Sequence, residues 1–421
     1  MVPPFRPSLS SAPDAPHESQ RRASLRPPGV QPPLSPAYAL AWSYSRHRML
    51  RHCERSVFWS YFGCRNQGLE PGDRSAPLAW ALKHLQTVPL LVGTVVHNAA
   101  QRVAKAVIAG DAPPSFAELL AGARYALNQA WTNSQPSHID GWWEHPTHYL
   151  ALQEVVDRGH LEPWEIARAR IRLGRCLEAL LNAPLLDDLR AAGPGATWLP
   201  PAGPTSFSPL LGVAAWGAVD AAYRHSDLVA VYEALAAQDG PEGGSTGLTA
   251  VDAEFRLRDL PADPTWTISD FKTASRPDPD GEALQLGAYA LWLESTDRPA
   301  TGGAYLGRIV DLVAREDRWI LLDAGLLERT RTVIADDVAH LRGLMLDPKR
   351  AIPRPKADWK LAANQRRCGS CRFHRLCTPE RDDVLADVDG SFEDAEAGSA
   401  ELSTPPTCAR PTPTRRLTLL R

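Results

Sequence analysis

No stretch of this chain is apolar for long enough to cross a membrane, which takes roughly 20 consecutive, predominantly apolar residues. No apolar run of the secretory kind stands near residue 1 either. The expected compartment is therefore the cytoplasm, with no membrane partner. Charge of one sign is lacking too. With 46 Lys and Arg against 49 Asp and Glu the net charge is −3, so any basic surface has to be local. A Gly-x-x-x-x-Gly-Lys-Ser/Thr loop is absent, which excludes a phosphate cradle of the nucleotide-driven motor type. Cysteine is sparse, seven in 421 residues, and unevenly placed, with Cys368, Cys371 and Cys377 inside ten residues. In a reducing compartment such clustering points to a metal rather than to disulfides.

What is present is an ordinary globular balance, 44% hydrophobic and 23% charged, so the middle of the chain can bury a core of good size. Residues 1–36 are rich in Pro, Ser and Arg and read as a disordered leader; 384–421, acidic and Pro/Ser/Thr-rich with a basic end, read as a disordered tail. The folded domain is expected over 37–383. Residues 44–63 carry apolar side chains at helical spacing. Arg46, Arg48, Arg51 and Arg55 surround Cys53 there, as they would on a solvated basic helix with one buried cysteine. Residues 89–107 form a second apolar-striped helix on which Gly93 and His97, four apart, share a face. Gly93 permits close backbone approach, and His97 is either a satisfied core residue or a metal ligand. Residues from about 112 to 200 read as a helical insertion with Trp131, Trp142, Trp143 and Trp164 as packing anchors.

From residue 211 the pattern becomes strand-like, with a turn near His225-Ser226-Asp227. Trp216, Ala218, Asp220 and Ala222 fall on one face. Asp220 is then a carboxylate in an apolar strand, and it needs a cation, hydrogen-bond donors or a metal as partner. Residues 237–247 read as a flexible loop, and 249–257 as a further strand. The stretch 266–273 is the most informative. Trp266, Ile268, Asp270 and Lys272 share one side of a strand. A strand that buries its first half and ends on a carboxylate and an amine is suited to hold a metal ion and a water. Residues 281–294 form an amphipathic helix with Gln285 and Tyr289 four apart, either ordinary packing or a polar rim. Strands are expected over 303–313 and 318–322, and a helix over 326–344.

The series Gly93-x-x-x-His97, Gly217-x-x-Asp220, Asp270-x-Lys272 and Gln285-x-x-x-Tyr289 resembles the RecB-like branch of the PD-(D/E)XK nuclease superfamily, over roughly residues 42–380. The resemblance implies an α/β restriction-endonuclease-like fold, a mixed sheet flanked by helices. It implies that His97, Asp220, Asp270 and the Phe271 carbonyl bind Mg²⁺ or Mn²⁺, cations that favour oxygen-rich sites. Lys272 would orient or activate the attacking water, and Gln285 and Tyr289 would position Lys272 or the DNA strand. The second acidic residue is Asp rather than Glu, and 49 residues separate it from Asp220. Asp252 competes as first carboxylate with a shorter gap; Asp220 is preferred because Trp216-Gly217-Ala218-Val219-Asp220 matches the family's Gly-x-x-Asp strand.

Cys368-x-x-Cys371-x₅-Cys377 supplies three thiolates. In iron–sulfur members of the family a lone upstream cysteine joins such a trio. Cys53 is the match, with Glu54 standing where the family has proline, and Cys64 is the backup. The resemblance thus implies a [4Fe–4S] cluster, with structural Zn²⁺ compatible with the same four thiolates. Such a clasp would draw Arg46, Arg48, Arg51 and Arg55 together with Arg366, Arg367, Arg372 and Arg375 into one patch, suited either to a DNA backbone or to offsetting the cluster's negative charge. The expected activity is metal-dependent DNA cleavage, exonucleolytic on single strands or ends, in repair, recombination or defence. That preference follows the recombination and CRISPR-adaptation exonucleases the chain resembles, and any helicase would be a separate partner. The second hypothesis is a non-catalytic DNA-binding or scaffold subunit that keeps the fold and clasp.

Overall fold

The computed structural model describes residues 32–198, 205–210, 213–224, 266–274, 277–295, 305–362 and 365–377. The expected turn at 225–227, loop at 237–247, strand at 249–257 with Asp252, most of the leader and the whole tail lie outside the described residues. Packing begins before residue 37: Ser35 caps a short helix, Pro36–Ala39, and Leu34 is buried. The helix expected over 44–63 is two, α1 (Tyr44–His52) and α2 (Glu54–Tyr61), broken at Cys53, whose backbone is extended at φ −167° and ψ 110°. Just past the break the Glu54 carboxylate accepts the Lys360 N–H and lies beside His340 Nε2, both at 2.9 Å.

The long helix α3 (Val88–Ala109) starts on the Thr87 cap and stops at Gly110, in the left-handed conformation that glycine adopts without cost. It packs with α4 (Phe116–Asn133), α5 (Pro163–Leu181) and α6 (Leu185–Ala196, broken at Gly193). Of the four tryptophans expected to anchor this region, Trp142 is fully buried but Trp164 is 59% exposed. Trp164 falls in the first turn of α5, on the side away from the buried Ala169 and Leu173.

Among the described residues the main sheet has five strands: β1 (Thr197–Trp198), β4 (Ala221–Arg224), β5 (Trp266–Lys272), β6 (Tyr305–Asp311) and β7 (Glu316–Leu322), in that spatial order. β2 (Thr205–Leu210) and β3 (Val213–Gly217) form a separate hairpin. β5 and β6 are parallel and the other neighbours antiparallel, so the sheet is mixed. A parallel pair needs a crossover, and α7 (Pro279–Glu294) supplies it. β6 is buried along its whole length, as a strand covered on both faces must be.

Alternation divides the side chains between two layers. Ala221, Tyr223, Phe271 and Val310 face α3–α6, whereas Ala222, Ile268 and Ile309 face α7 and α8 (Ala324–Gly343). A third core gathers Phe58, Trp59, Trp142, Trp359, Phe373 and Leu376, joining the first helices to the C-terminal segment. Arg308 is buried in β6 and pinned there: its guanidinium meets Asp188 of α6, Asp317 of β7 and the Tyr223 hydroxyl. No helix among the described residues is long and apolar enough to cross a membrane.

Candidate active site

The last residues of β5 build the site. Asp270 and Lys272 share the face toward α7, and α7 turns Gln285 and Tyr289 back at them. Lys272 Nζ donates to Gln285 Oε1 at 2.7 Å, and Gln285 Nε2 donates to Asp270 Oδ1 at 3.0 Å and lies 2.8 Å from the Tyr289 hydroxyl. Lys272 Nζ also stands 2.6 Å from Asp270 Oδ2. At that distance the ammonium is the partner of Oδ2 as well as of Gln285 Oε1. Burial pushes the Asp270 carboxyl above the usual range, Lys272 opposes the rise and Asp220 adds to it.

Asp220 is not on a strand. It occupies the bend where the chain leaves β3 of the hairpin and enters β4 of the main sheet. The expected single face from Trp216 to Ala222 is therefore interrupted, and Asp220 points at β5 instead. Its Oδ2 accepts the Phe271 N–H at 2.8 Å, and its Oδ1 lies 3.1 Å from His97 Nδ1. Burial alone would lower the His97 pKa, but the charge and hydrogen bond of Asp220, with Asp270 adding, carry it up to about 9. In this arrangement His97 pairs with Asp220, one of the two carboxylates expected beside it at the metal. The two motif glycines are explained by contact. A Cβ on Gly93 would lie 3.1 Å from Thr273 Oγ1, and one on Gly217 would lie 3.0 Å from the Tyr289 ring.

Among the described residues no three His, Cys, Asp or Glu side chains are arranged to hold a metal ion. A hard divalent cation does not need three. Mg²⁺ commonly takes one or two carboxylates and keeps several waters. Asp220 and Asp270 supply two, carried by separate elements to the end of β5. Beside Gln285 and Tyr289 opens a cavity of about 480 Å³, lined also by Trp42, Tyr44, Tyr61 and Trp216.

The four clasp cysteines are neighbours in space. Burial, with the Cys377, Cys53 and Cys368 thiols adding, raises Cys371 to about 11. Cys53, Cys368 and Cys371 line a cavity of about 560 Å³. All four are free thiols, and they do not form a ready three-ligand set. Cys64 is buried elsewhere in that core, its thiol donating to the Ser60 carbonyl at 3.3 Å.

Of the arginines expected in one patch, Arg48 and Arg51 are exposed and Arg375 is part-exposed beside Asp157, whereas Arg46 is not. Arg46 is 3% exposed; its Nη1 donates to the Tyr38 and Ala41 carbonyls, and its guanidinium covers the Tyr61 ring at 4.0 Å. It closes the chain around residues 38–46 and is out of reach of a polyanion. Arg55 Nε is spent on the Trp359 carbonyl and Arg372 Nη1 on the Lys83 carbonyl. Arg51 stays exposed, 3.6 Å from Asp337. Arg366 and Arg367 have side chains outside the described residues. Asp337 itself is a residue that the sequence does not single out. It is buried in α8 and accepts from Trp42 Nε1 and His47 Nδ1, locking α1 to the far helix layer. Its partners lie almost 300 positions away, and no local pattern announces them.

Against this geometry, the sequence model of the PD-(D/E)XK nuclease superfamily matches residues 256–378. The matched stretch contains Asp270, Lys272, Gln285, Tyr289 and the three clustered cysteines; His97, Asp220 and Cys53 precede it. No curated protein matches the chain.

Proposed function

We propose that the protein is a divalent-metal-dependent nuclease of the RecB-like kind that hydrolyses phosphodiester bonds in DNA, working from ends or on single strands in repair, recombination or defence. One observation carries the reading. Two carboxylates from separate elements, Asp220 and Asp270, converge at the end of β5 beside the ammonium of Lys272. His97, Asp220, Asp270 and the Phe271 carbonyl would hold Mg²⁺ or Mn²⁺, which would lower the pKa of a water and polarise the phosphate.

The chain's own groups do the rest. Gln285 accepts from Lys272 and donates to Asp270, so it fixes the distance between charge and carboxylate. Tyr289 holds the Gln285 amide against rotation. Lys272 then offers an immobile positive charge, with protons to orient a water, where negative charge grows in the transition state. The Phe271 N–H holds Asp220 in register with Asp270.

The cysteine clasp is read as a [4Fe–4S] cluster on Cys53, Cys368, Cys371 and Cys377, with zinc as the other metal that four thiolates take. Support comes from Cys53, Cys368 and Cys371 lining one cavity, with Cys377 near enough to act on Cys371.

The test is anaerobically purified protein with Mn²⁺ and end-labelled single- and double-stranded DNA, wild type beside Lys272→Ala. The substitution should slow cleavage by about 10²–10³-fold, the scale of losing one preorganised charge stabiliser. Equal cleavage by both proteins assigns the activity to a contaminant and leaves a DNA-binding scaffold.

A further inference from the structure

Away from the cysteines, α5 carries a second set of arginines. Trp164, Arg168, Ile171 and Arg175 recur at intervals of four, three and four, which is one helix face. Trp164 and Ile171 are 59% and 56% exposed. With Arg172 and Val313 they line a cavity of about 380 Å³. Among the described residues no carboxylate lies within ion-pair distance of Arg168, Arg172 or Arg175, and the Arg172 Nε has no hydrogen-bond partner. The acids that come near are already engaged. Glu165 is held by Arg158, Glu154 by the Val88 N–H, and Asp311 by the Val313 and Ala314 N–H groups.

Two links join this face to the end of β5. Leu312, next to Val313, donates its N–H to the Lys272 carbonyl at 2.9 Å. On the other side Val92 of α3 lines an adjoining cavity with Trp164 and Arg168, and the next residue, Gly93, abuts Thr273. The patch thus adjoins the end of β5 through Leu312 on one side and α3 on the other.

We propose that Arg168, Arg172 and Arg175, with Trp164, form the track along which a single-stranded nucleic acid runs to the active site, the arginines on its phosphates and the indole under an unstacked base. The inference rests on the nucleolytic reading for the direction of the strand. Charge complementarity chooses the occupant: three arginines without counter-ions beside an exposed ring suit a flexible polyanion with stacking faces. A duplex keeps its bases paired and gives Trp164 nothing to stack on.

Binding of fluorescein-labelled oligothymidine, and of a blunt duplex, is measured by anisotropy in EDTA on full-length Lys272→Ala protein. Cleavage is then absent, and failure of the track can be told from failure of the nuclease reading. Arg168→Glu/Arg175→Glu should weaken oligothymidine binding by about tenfold or more at ~100 mM salt and flatten its salt dependence, by about 0.7 in log–log slope for each phosphate that is no longer neutralised. The glutamine pair, which adds no repulsion, should weaken it in the same direction. Trp164→Ala should cost about fivefold or more on oligothymidine and under twofold on the duplex. Arg329→Glu, on the exposed face of α8, is the control. An unchanged affinity in both arginine pairs, or an equal loss in the control, removes the track. An equal loss of both ligands on Trp164→Ala removes the stacked base. A wild-type protein that cleaves nothing but loses binding in the track variants overturns the nuclease reading alone.

Discussion

Asp220 and Phe271, 51 residues apart, meet through one hydrogen bond: Asp220 Oδ2 accepts the Phe271 N–H at 2.8 Å. β4 pairs antiparallel with β5, Ala221 opposite Ser269, so the residue just before β4 is carried to the level of Asp270. The bond does two jobs. It satisfies a buried backbone donor at the strand end, and it fixes one oxygen of a carboxylate while leaving the other to His97.

Replacing Asp220 separates those jobs. Asp220→Ala leaves the Phe271 N–H without its acceptor and should cost about 1–3 kcal/mol of stability. Asp220→Asn keeps a carbonyl oxygen for that N–H, so most of the stability should return while cleavage stays lost. Urea midpoints and Mn²⁺-dependent cleavage rates on the two variants check this. Recovery of cleavage along with stability in the Asn variant would show that the negative charge is not needed, and the cation reading would go with it.

Gly217→Ala tests the support behind the site. The new Cβ would stand 3.0 Å from Tyr289 Cε1, tighter than a ring wedged between a hairpin and α7 can absorb without moving. Tyr289 holds Gln285, and Gln285 holds both charged groups. A displacement of an ångström can cost up to about a hundredfold in rate. The variant should fold, melt within a few degrees of wild type and cleave slowly. Wild-type rates from a folded Gly217→Ala protein would mean that Tyr289 is packing and nothing more.

The parts of this molecule that the sequence discloses are those written in short-range pattern. The alternation in 266–272 puts Asp270 and Lys272 on one side, and helical spacing puts Gln285 and Tyr289 on one face; the structure brings these four together. Asp220 stands out for the right reason, a carboxylate among apolar neighbours, but is placed by its pattern on the wrong element. Strand alternation carries no mark of a bend that switches sheets. Among the arginines around Cys53, Arg46 misleads because a count of charge does not say what each charge can bond to. A guanidinium with carbonyls at 2.7 and 3.1 Å is a strut, and the pairing of Arg46 with the Ala41 and Tyr38 carbonyls is set by how the chain folds back before α1. Trp164 misleads in the opposite sense. Large aromatics are usually buried, and only the register of α5, set by Ala169 and Leu173, turns it outward.

Arg308 should be the most costly single truncation in the sheet. It sits at 2% exposure in β6 and joins that strand to β7, to α6 and to Tyr223 of β4. Removing one partner of a buried ionic cluster leaves the others as uncompensated buried charge, typically ~3–5 kcal/mol. Arg308→Ala is expected to lower the denaturant midpoint by that amount. Arg308→Met together with Asp317→Leu, which removes charge from both sides, should recover part of it. A midpoint within about 1 kcal/mol of wild type for Arg308→Ala would mean that the cluster behaves as an exposed one.

The clasp makes a prediction in which two cysteines of one core behave oppositely. Cys371 has three other thiols close enough to raise its pKa, whereas Cys64 lies among Phe58, Leu82 and Trp59 with its thiol on a helix carbonyl. Cys371→Ser should strip the metal, iron with sulfide or zinc, from anaerobically purified protein and lower its melting temperature. Binding free energy from a site that does not exist in the unfolded chain is folding free energy. Cys64→Ser should keep the metal. Glu54→Gln lies between these cases. Its carboxylate holds the Lys360 N–H and His340 and so sets the distance from Cys53 to the C-terminal trio. The amide can still accept from the Lys360 N–H but carries no charge for His340, so the metal should be retained but released faster to a chelator. Equal iron and zinc per chain in wild type and Cys371→Ser would dismiss the clasp, and the four thiols would then be neighbours by packing alone.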